Sequence, residues 1–93
     1  MISLDERTGA SLCIDLARRV RARRKELKFT QAQLAAKAGM SLGSYKRFEQ
    51  TGQIALLSLA NLAVVLHSED EFDTLFSQPQ YASIEEVIRG RKG

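Results

Sequence analysis

The sequence predicts an all-α fold of five helices around one small core. Apolar residues recur at spacings of three and four through most of the chain, as they do along the buried side of a helix. Serine and threonine stand where helix N-caps are expected, and no segment shows the alternation that favours a strand. A length of 93 residues with 44% hydrophobic residues suits a single domain.

The first helix is predicted over residues 11–27. Its buried stripe is expected to consist of Leu12, Leu16, Val20 and Leu27. Cys13 is the only cysteine and cannot form a disulfide within the chain, so we expect it to be a small buried hydrophobe. Residues 1–10 are expected to form a partly flexible N-terminal arm.

Two short helices are predicted next, over residues 31–38 and 42–50, with a sharp turn between them. Their inward residues are expected to be Leu34, Ala35 and Ala38 on one helix and Tyr45 and Phe48 on the other. Such a pair is typical of a helix-turn-helix unit, here residues 31–50, which places its second helix in a DNA groove.

Cap and turn residues support these boundaries. Thr30 and Gln33 have the spacing of a capping box at the start of the first of the two helices. Gly39 permits a left-handed turn after it, and Ser41 is a good N-cap for the next helix. Both helices of the unit therefore begin at a residue that can cap them.

The fourth helix is predicted over residues 56–66. Its inward residues are expected to be Leu59, Leu62, Ala63 and Leu66. Ser68 and Glu71 have capping-box spacing, which predicts a short fifth helix. The apolar face of that helix is expected to consist of Phe72, Leu75 and Phe76. Residues 11–76 would then form the domain, and residues 77–93 a C-terminal extension with a further capping box at Ser83 and Glu86.

Charge is unevenly distributed along the chain. Residues 1–53 hold 11 Lys and Arg against 5 Asp and Glu, whereas residues 54–93 hold 3 against 6. The basic residues are concentrated on the first helix and just after it: Arg18, Arg19, Arg21, Arg23, Arg24, Lys25 and Lys28. Either this is an ordinary solvated face, or it belongs with the helix-turn-helix unit to a surface near phosphates.

Other functional classes find little support. His67 is the only histidine and is far in sequence from Cys13, and the chain has neither a glycine-rich phosphate loop nor paired metal-ligand spacing. We therefore expect no enzymatic activity, no metal and no cofactor. Without an apolar run long enough for a signal peptide or a membrane span, we expect a cytoplasmic, nucleoid-associated protein.

Residues 16–66 resemble the Cro/repressor family of helix-turn-helix regulators, often called XRE-like. The resemblance lies in Val20, Arg24 and Leu27, the FTQAQLA segment at 29–35, the AGMS turn at 38–41, FEQTG at 48–52 and the LLSLANLAVVL helix beyond. It implies a compact five-helix fold like that of lambda repressor, with a short C-terminal extension. It also implies a transcriptional repressor that binds specific double-stranded DNA.

The start of the recognition helix is expected to face base edges. The candidate base-reading residues are Leu42, Gly43, Ser44, Lys46 and Arg47. Arg47 is the strongest candidate, because arginine binds guanine O6 and N7 through two hydrogen bonds. Leu42 either contacts a thymine methyl or packs on the preceding helix. Many relatives have polar residues at positions 42 and 43, so part of the specificity is expected to come from DNA shape.

Four residues are expected at DNA phosphates: Gln31, Arg23, Lys28 and Ser41. Gln31 matches the family position where a side chain and the positive end of a helix meet a phosphate oxygen. Lys28 stands where relatives often have glycine, which implies either backbone strain or a different helix ending. Arg24 and Glu49 match a pair that forms a structural ion pair in this family.

A two-fold dimer on a palindromic operator is expected, because one recognition helix covers few base pairs. The C-terminal third has more apolar residues than a small core requires. These residues are candidates for contact with a second copy or another protein, unless they only cap the core: Phe72, Leu75, Phe76, Tyr81, Ile84, Val87 and Ile88.

Residues 43–66, followed by EDEFDTLF and the YASIEEVIRGRKG ending, resemble the small regulators encoded beside HipA-type kinase toxins. This resemblance implies an antitoxin that represses its own operon and binds the kinase. Two alternatives stay open. One is a stand-alone phage-type or housekeeping regulator, and the other is a protein-interaction module that has lost DNA readout.

Overall fold

The computed structural model describes residues 7–79, which form five helices and no strand. They are α1 (Gly9–Glu26), α2 (Gln31–Lys37), α3 (Leu42–Thr51), α4 (Leu56–Val65) and α5 (Glu69–Asp73). The predicted all-α fold is confirmed. Helix α1 packs mainly on α3, α2 contacts α3 and α4, and α5 contacts α4. Within residues 7–79 no helix has the length and apolar character needed to cross a membrane.

Eight buried hydrophobic residues form the core: Ala17, Leu34, Ala35, Ala38, Tyr45, Phe48, Leu62 and Leu66. The rings of Tyr45 and Phe48, three residues apart on α3, pack edge to face with centroids 6.1 Å apart. On the α2 side the core residues are Leu34, Ala35 and Ala38. The two alanines are small, which lets α3 approach closely. The inward residues predicted for α2 and α3 are confirmed.

The buried face of α1 differs from the predicted stripe. Leu12 and Leu27 are 41% and 38% exposed, whereas Ala17 and Arg24 are buried. The reason is the close contact with α3, which favours a small residue at position 17 and supplies a partner for the guanidinium at position 24. Leu16 and Val20 of the predicted stripe are half-buried, and Val20 packs against the core as expected. Apolar spacing missed Arg24 because it treats every arginine as exposed.

Cys13 is exposed, contrary to the prediction. The close contact at this point is made by Gly52, which follows α3 with φ +79°. A Cβ at Gly52 would lie 2.7 Å from the carbonyl carbon of Cys13. The end of α3 therefore rests on the backbone of α1, and only glycine fits there.

Capping boxes define the starts of two helices. Helix α1 begins at Gly9, two residues before the predicted start, because Thr8 and Ser11 exchange side-chain to backbone hydrogen bonds of 3.0 Å. At α2 the predicted box is present, with Thr30 and Gln33 bonded in the same reciprocal way at 2.9 and 3.0 Å.

The capping box predicted for α5 is absent. The Ser68 hydroxyl instead accepts a hydrogen bond of 2.7 Å from Arg23 and donates one of 3.2 Å to a nearby backbone carbonyl. Glu71 lies 3.4 Å from the same Arg23 guanidinium. Helix α5 is only five residues long, so Leu75 and Phe76 lie beyond its end and do not extend its apolar face.

Helices α1, α2 and α4 end in Schellman motifs, each with a left-handed residue after the C-cap. Those residues are Lys28 (φ 63°), Gly39 (φ 74°) and His67 (φ 56°). In α1, the N–H of Lys28 bonds to the carbonyl of Lys25 at 3.0 Å, and the N–H of Phe29 bonds to that of Arg24 at 3.1 Å. Lys28 therefore takes the conformation that glycine normally supplies, and the helix ends with backbone strain.

Replacing Lys28 with glycine is expected to stabilise the protein by about 0.5 to 1 kcal/mol. A left-handed backbone costs an L-residue roughly 1 to 2 kcal/mol, part of which is offset by the greater unfolded-state entropy of glycine. Urea unfolding measures the change, and its slope should not alter. Lys28→Ala is the matched control, because it removes the charge and keeps the strain. Equal stabilisation by alanine would assign the effect to charge.

Candidate nucleic-acid interface

Helix α3 presents one side to the core and the other to solvent. Tyr45 and Phe48 are completely buried, and the side chain of Glu49 is 5% exposed. The residues on the other side are exposed: Leu42, Gly43, Ser44, Lys46 and Arg47. All five residues predicted to read bases therefore lie on the solvent side of the first two turns of α3.

The N-terminus of α3 is capped by Ser41. Its Oγ accepts a hydrogen bond from the backbone N–H of Ser44 at 3.1 Å and donates one to the Ser44 hydroxyl at 2.8 Å. The predicted phosphate contact of Ser41 would thus compete with a bond inside the helix start. Ser44 retains its own hydroxyl proton, which can be donated outward.

The first turn of α3 is open to close approach. A Cβ built at Gly43 would meet nothing within 4 Å, so the fold does not require glycine there. Leu42, at the first helical position, is 39% exposed. The backbone N–H groups of this turn carry the positive end of the helix dipole, which favours an anion or a base acceptor nearby.

Arg47 is held by the turn that follows α3. Its guanidinium donates a hydrogen bond to Oε1 of Gln53. The Thr51 hydroxyl donates to the carbonyl of Arg47 at 2.7 Å and accepts from the N–H of Gln53 at 3.1 Å. Arginine has five N–H donors, so this contact leaves others for a base. Gln53 is not among the residues predicted from the sequence, because nothing in its spacing from Arg47 indicates a contact.

The carboxylate of Glu49 is the centre of a hydrogen-bond network that joins α1, α2 and α3. Arg24 on α1 donates to it through Nε at 2.8 Å, and Gln31 on α2 donates through Nε2 at 2.9 Å. The Tyr45 hydroxyl also donates to it. Arg24 completes its bonding with a 2.9 Å contact to the carbonyl of Phe29. No buried side-chain polar atom among residues 7–79 lacks a partner.

These contacts fix the ionisation states of the network. Burial would raise the pKa of Glu49, but hydrogen bonds from Arg24, Tyr45 and Gln31 outweigh it and lower the pKa below 4.5. The hydrogen bond to Glu49 raises the pKa of Arg24 despite burial. Burial, followed by the bond to Glu49, raises the pKa of Tyr45 well above 10.0. At neutral pH the network is therefore an ion pair with two neutral donors.

The residues predicted at phosphates differ in their surroundings. Lys28 is exposed, and Gln31 is half-buried with one amide hydrogen directed at Glu49. Arg23 is bonded to Ser68, at the start of α5. The predicted phosphate contact of Arg23 would share its guanidinium donors with this bond.

Three of the seven residues predicted for dimer or partner contact are described. Phe72 is half-buried, and Leu75 and Phe76 are 54% and 101% exposed. The remaining four lie outside the described residues, as does the capping box predicted in the extension: Tyr81, Ile84, Val87, Ile88, and Ser83 with Glu86. Within residues 7–79 no group of three or more His, Cys, Asp or Glu side chains is arranged to hold a metal.

A family model described as helix-turn-helix matches residues 20–69. The matched range includes the exposed side of α3, the Glu49 network and the turn that holds Arg47. No curated protein and no solved structure matches the chain.

Removal of the central carboxylate in Glu49→Ala is expected to lower the free energy of unfolding by about 3 to 5 kcal/mol, because Arg24 is left buried without a counter-charge. The double variant Arg24→Met with Glu49→Leu removes both charges and is expected to recover much of this loss. Urea denaturation of the two variants measures both values. If the double variant is as unstable as the single one, the bonds from Tyr45 and Gln31 matter more than the charge pair.

Acid is expected to destabilise the protein as the pH falls below about 4.5. Folding lowers the pKa of Glu49. The contribution of the Glu49 carboxylate to the free energy of unfolding is therefore fully present above the unfolded pKa of 4.5 and is lost as the pH falls through the folded pKa. Denaturation midpoints measured from about pH 6 to about pH 3 test this. Glu49→Gln is the control and should show a weaker pH dependence. The same dependence in both proteins would assign the effect to other carboxylates.

Proposed function

Since the chain belongs to the helix-turn-helix family of DNA-binding transcription regulators, we propose that it is a sequence-specific repressor that reads double-stranded DNA with α3. The observation that carries this proposal is the two-sided character of α3. Its inner side is fixed by Tyr45, Phe48 and the Glu49 network, while its outer side is free of contacts with the core. A rigid helix whose first two turns are exposed on one side suits insertion into a major groove.

Within this proposal Arg47 binds a guanine through two parallel hydrogen bonds, and Gln53 limits the directions in which the guanidinium can point. Lys46 reaches a base or a phosphate, and Ser44 discriminates weakly because a hydroxyl both donates and accepts. Gly43 contributes no side chain, so the DNA can come close to the helix backbone there. Readout of DNA shape supplies the remaining specificity.

Phosphate contacts are proposed at Lys28, Ser41 and Gln31. The amide of Gln31 has a second N–H hydrogen besides the one directed at Glu49, and it lies at the N-terminus of α2. Binding by a two-fold dimer is part of the proposal, with an operator of matching symmetry. Phe76 is a fully exposed apolar residue available to a second copy.

The resemblance to regulators encoded beside HipA-type kinase toxins supports a more specific role as an autoregulating antitoxin. In the structure, α5 carries Glu69, Asp70, Glu71 and Asp73, and this acidic surface is suited to a basic protein partner rather than to DNA. An adjacent gene for such a kinase, and co-purification of the two proteins, are expected for an antitoxin. A stand-alone regulator would have neither.

DNA binding is tested by fluorescence anisotropy with a fragment from upstream of the gene and a scrambled fragment of equal length, at two salt concentrations. The protein is expected to prefer its own fragment and to lose affinity steeply with salt through counterion release. Arg47→Ala should reduce the preference by about 1 to 3 kcal/mol.

Arg47→Lys is the matched control, because lysine keeps the charge and loses the two-pronged hydrogen bond. It should retain binding to scrambled DNA and lose the preference. Equal, weak binding of wild type to both fragments would contradict the proposed repressor and favour a protein-interaction module.

A further inference from the structure

An apolar groove of about 320 Å³ lies between α1, α4 and α5. Its apolar lining includes Leu16, Val20, Leu59, Ala63, Phe72 and Leu75. Arg19 and Arg23 on α1 also line it. Leu75 is 54% exposed and the neighbouring Phe76 fully exposed, which leaves a large apolar surface in water.

We propose that this groove binds the protein's own C-terminal segment, residues 81–88, from the same chain. The sequence pattern of the segment fits such a role. Ser83 and Glu86 have capping-box spacing, and a helix that begins after Ser83 places Ile84, Val87 and Ile88 on one side. Tyr81 precedes that helix and adds an aromatic side chain.

The position and length of the segment support docking in the groove of the same chain. Pro79 is only four residues after Leu75, which itself lines the groove. Phe76 has φ 60°, and a left-handed residue of this kind turns the chain after a helix. A helix over residues 84–88 spans about 7.5 Å, which fits within the groove, because the groove follows α1 from Leu16 to Arg23, a rise of about 10 Å. The short tether gives the segment a high effective concentration at its own groove.

Charge complementarity supports the same pairing. Arg19 is exposed, and among residues 7–79 it has no ion-pair partner. Glu85 would lie at the border of the apolar side of the segment, whereas Glu86 would lie opposite that side. Docking therefore brings Glu85 toward Arg19 and leaves Glu86 in solvent. Leu75 becomes covered, and Phe76 remains for a second copy.

Cysteine cross-linking in the full chain tests the proposal. In a Cys13→Ser background, Arg19→Cys is combined with Glu85→Cys, and the matched control combines Arg19→Cys with Glu86→Cys. Positions 13 and 19 are exposed in the structure. Position 85 is expected at the border of the docked segment, and position 86 on its outer side. Mild oxidation at low micromolar concentration, followed by non-reducing electrophoresis, separates intrachain from interchain disulfides.

An intrachain disulfide that forms at least about tenfold faster in the 19/85 pair than in the 19/86 pair is the expected result, because a disulfide requires Cα atoms within about 7 Å. A disulfide-linked dimer from the 19/85 pair would overturn the proposal in favour of a second copy as the occupant. Equally slow reaction of both pairs would overturn it in favour of a groove that the segment does not cover.

A thermal measurement on the full chain checks the same point without new cysteines. Ile84→Asp is expected to lower Tm by about 5 °C or more, since it places a charge in an apolar groove. Arg89→Ala, on the outer side of the same helix and outside the capping box, should leave Tm unchanged within about 1 °C. An unchanged Tm in Ile84→Asp would contradict docking. Neither experiment uses DNA, so failure here is separate from failure of the proposed repressor function.

Discussion

The carboxylate of Glu49 is the point at which α1, α2 and α3 are held in a common geometry. Arg24 and Gln31 reach it from two different helices, and Tyr45 reaches it from one turn earlier on α3 itself. The dehydration of a buried ion pair offsets most of its Coulomb attraction, so such a pair adds little to stability compared with apolar packing. What it adds here is orientation. Apolar contacts between alanine and aromatic surfaces allow a helix to rotate or slide, whereas directed bonds from Arg24 on α1 and Gln31 on α2 to one carboxylate of α3 do not.

The other constraint on α3 acts at its C-terminal end. Gly52 lies against the backbone of Cys13, and the Thr51 hydroxyl fixes the turn that carries Gln53. Helix α3 is therefore held in its last turn by the bonds to Glu49 and just after its end by the close backbone contact of Gly52. Its N-terminal turn has neither kind of tie beyond the Ser41 cap, and that is the part proposed to enter the DNA groove.

The sequence was sufficient to predict features that depend on neighbouring residues. The Thr30 capping box and the inward placement of Tyr45 and Phe48 follow from spacing alone. Features that depend on distant residues were missed or misplaced. The bond from Arg23 to Ser68 was missed because it joins residues 45 positions apart. Cys13 and Leu12 were placed inward because the direction from which α3 approaches α1 is not encoded in the α1 sequence. Gln53 was missed because its contact with Arg47 depends on the geometry of the turn that follows α3.

The open space around Gly43 also bears on how such a protein changes over time. A side chain could be added there without meeting any atom within 4 Å, and the exposed residues beside it make no contribution to the core. Substitutions at Gly43 and the exposed residues beside it therefore change the contacts that α3 can make with a partner without changing how α3 packs on the core. Under the proposed function, evolution can exchange one target sequence for another at little cost in stability, and protein engineers can use the same separation to build a library of DNA-binding variants on one unchanged scaffold.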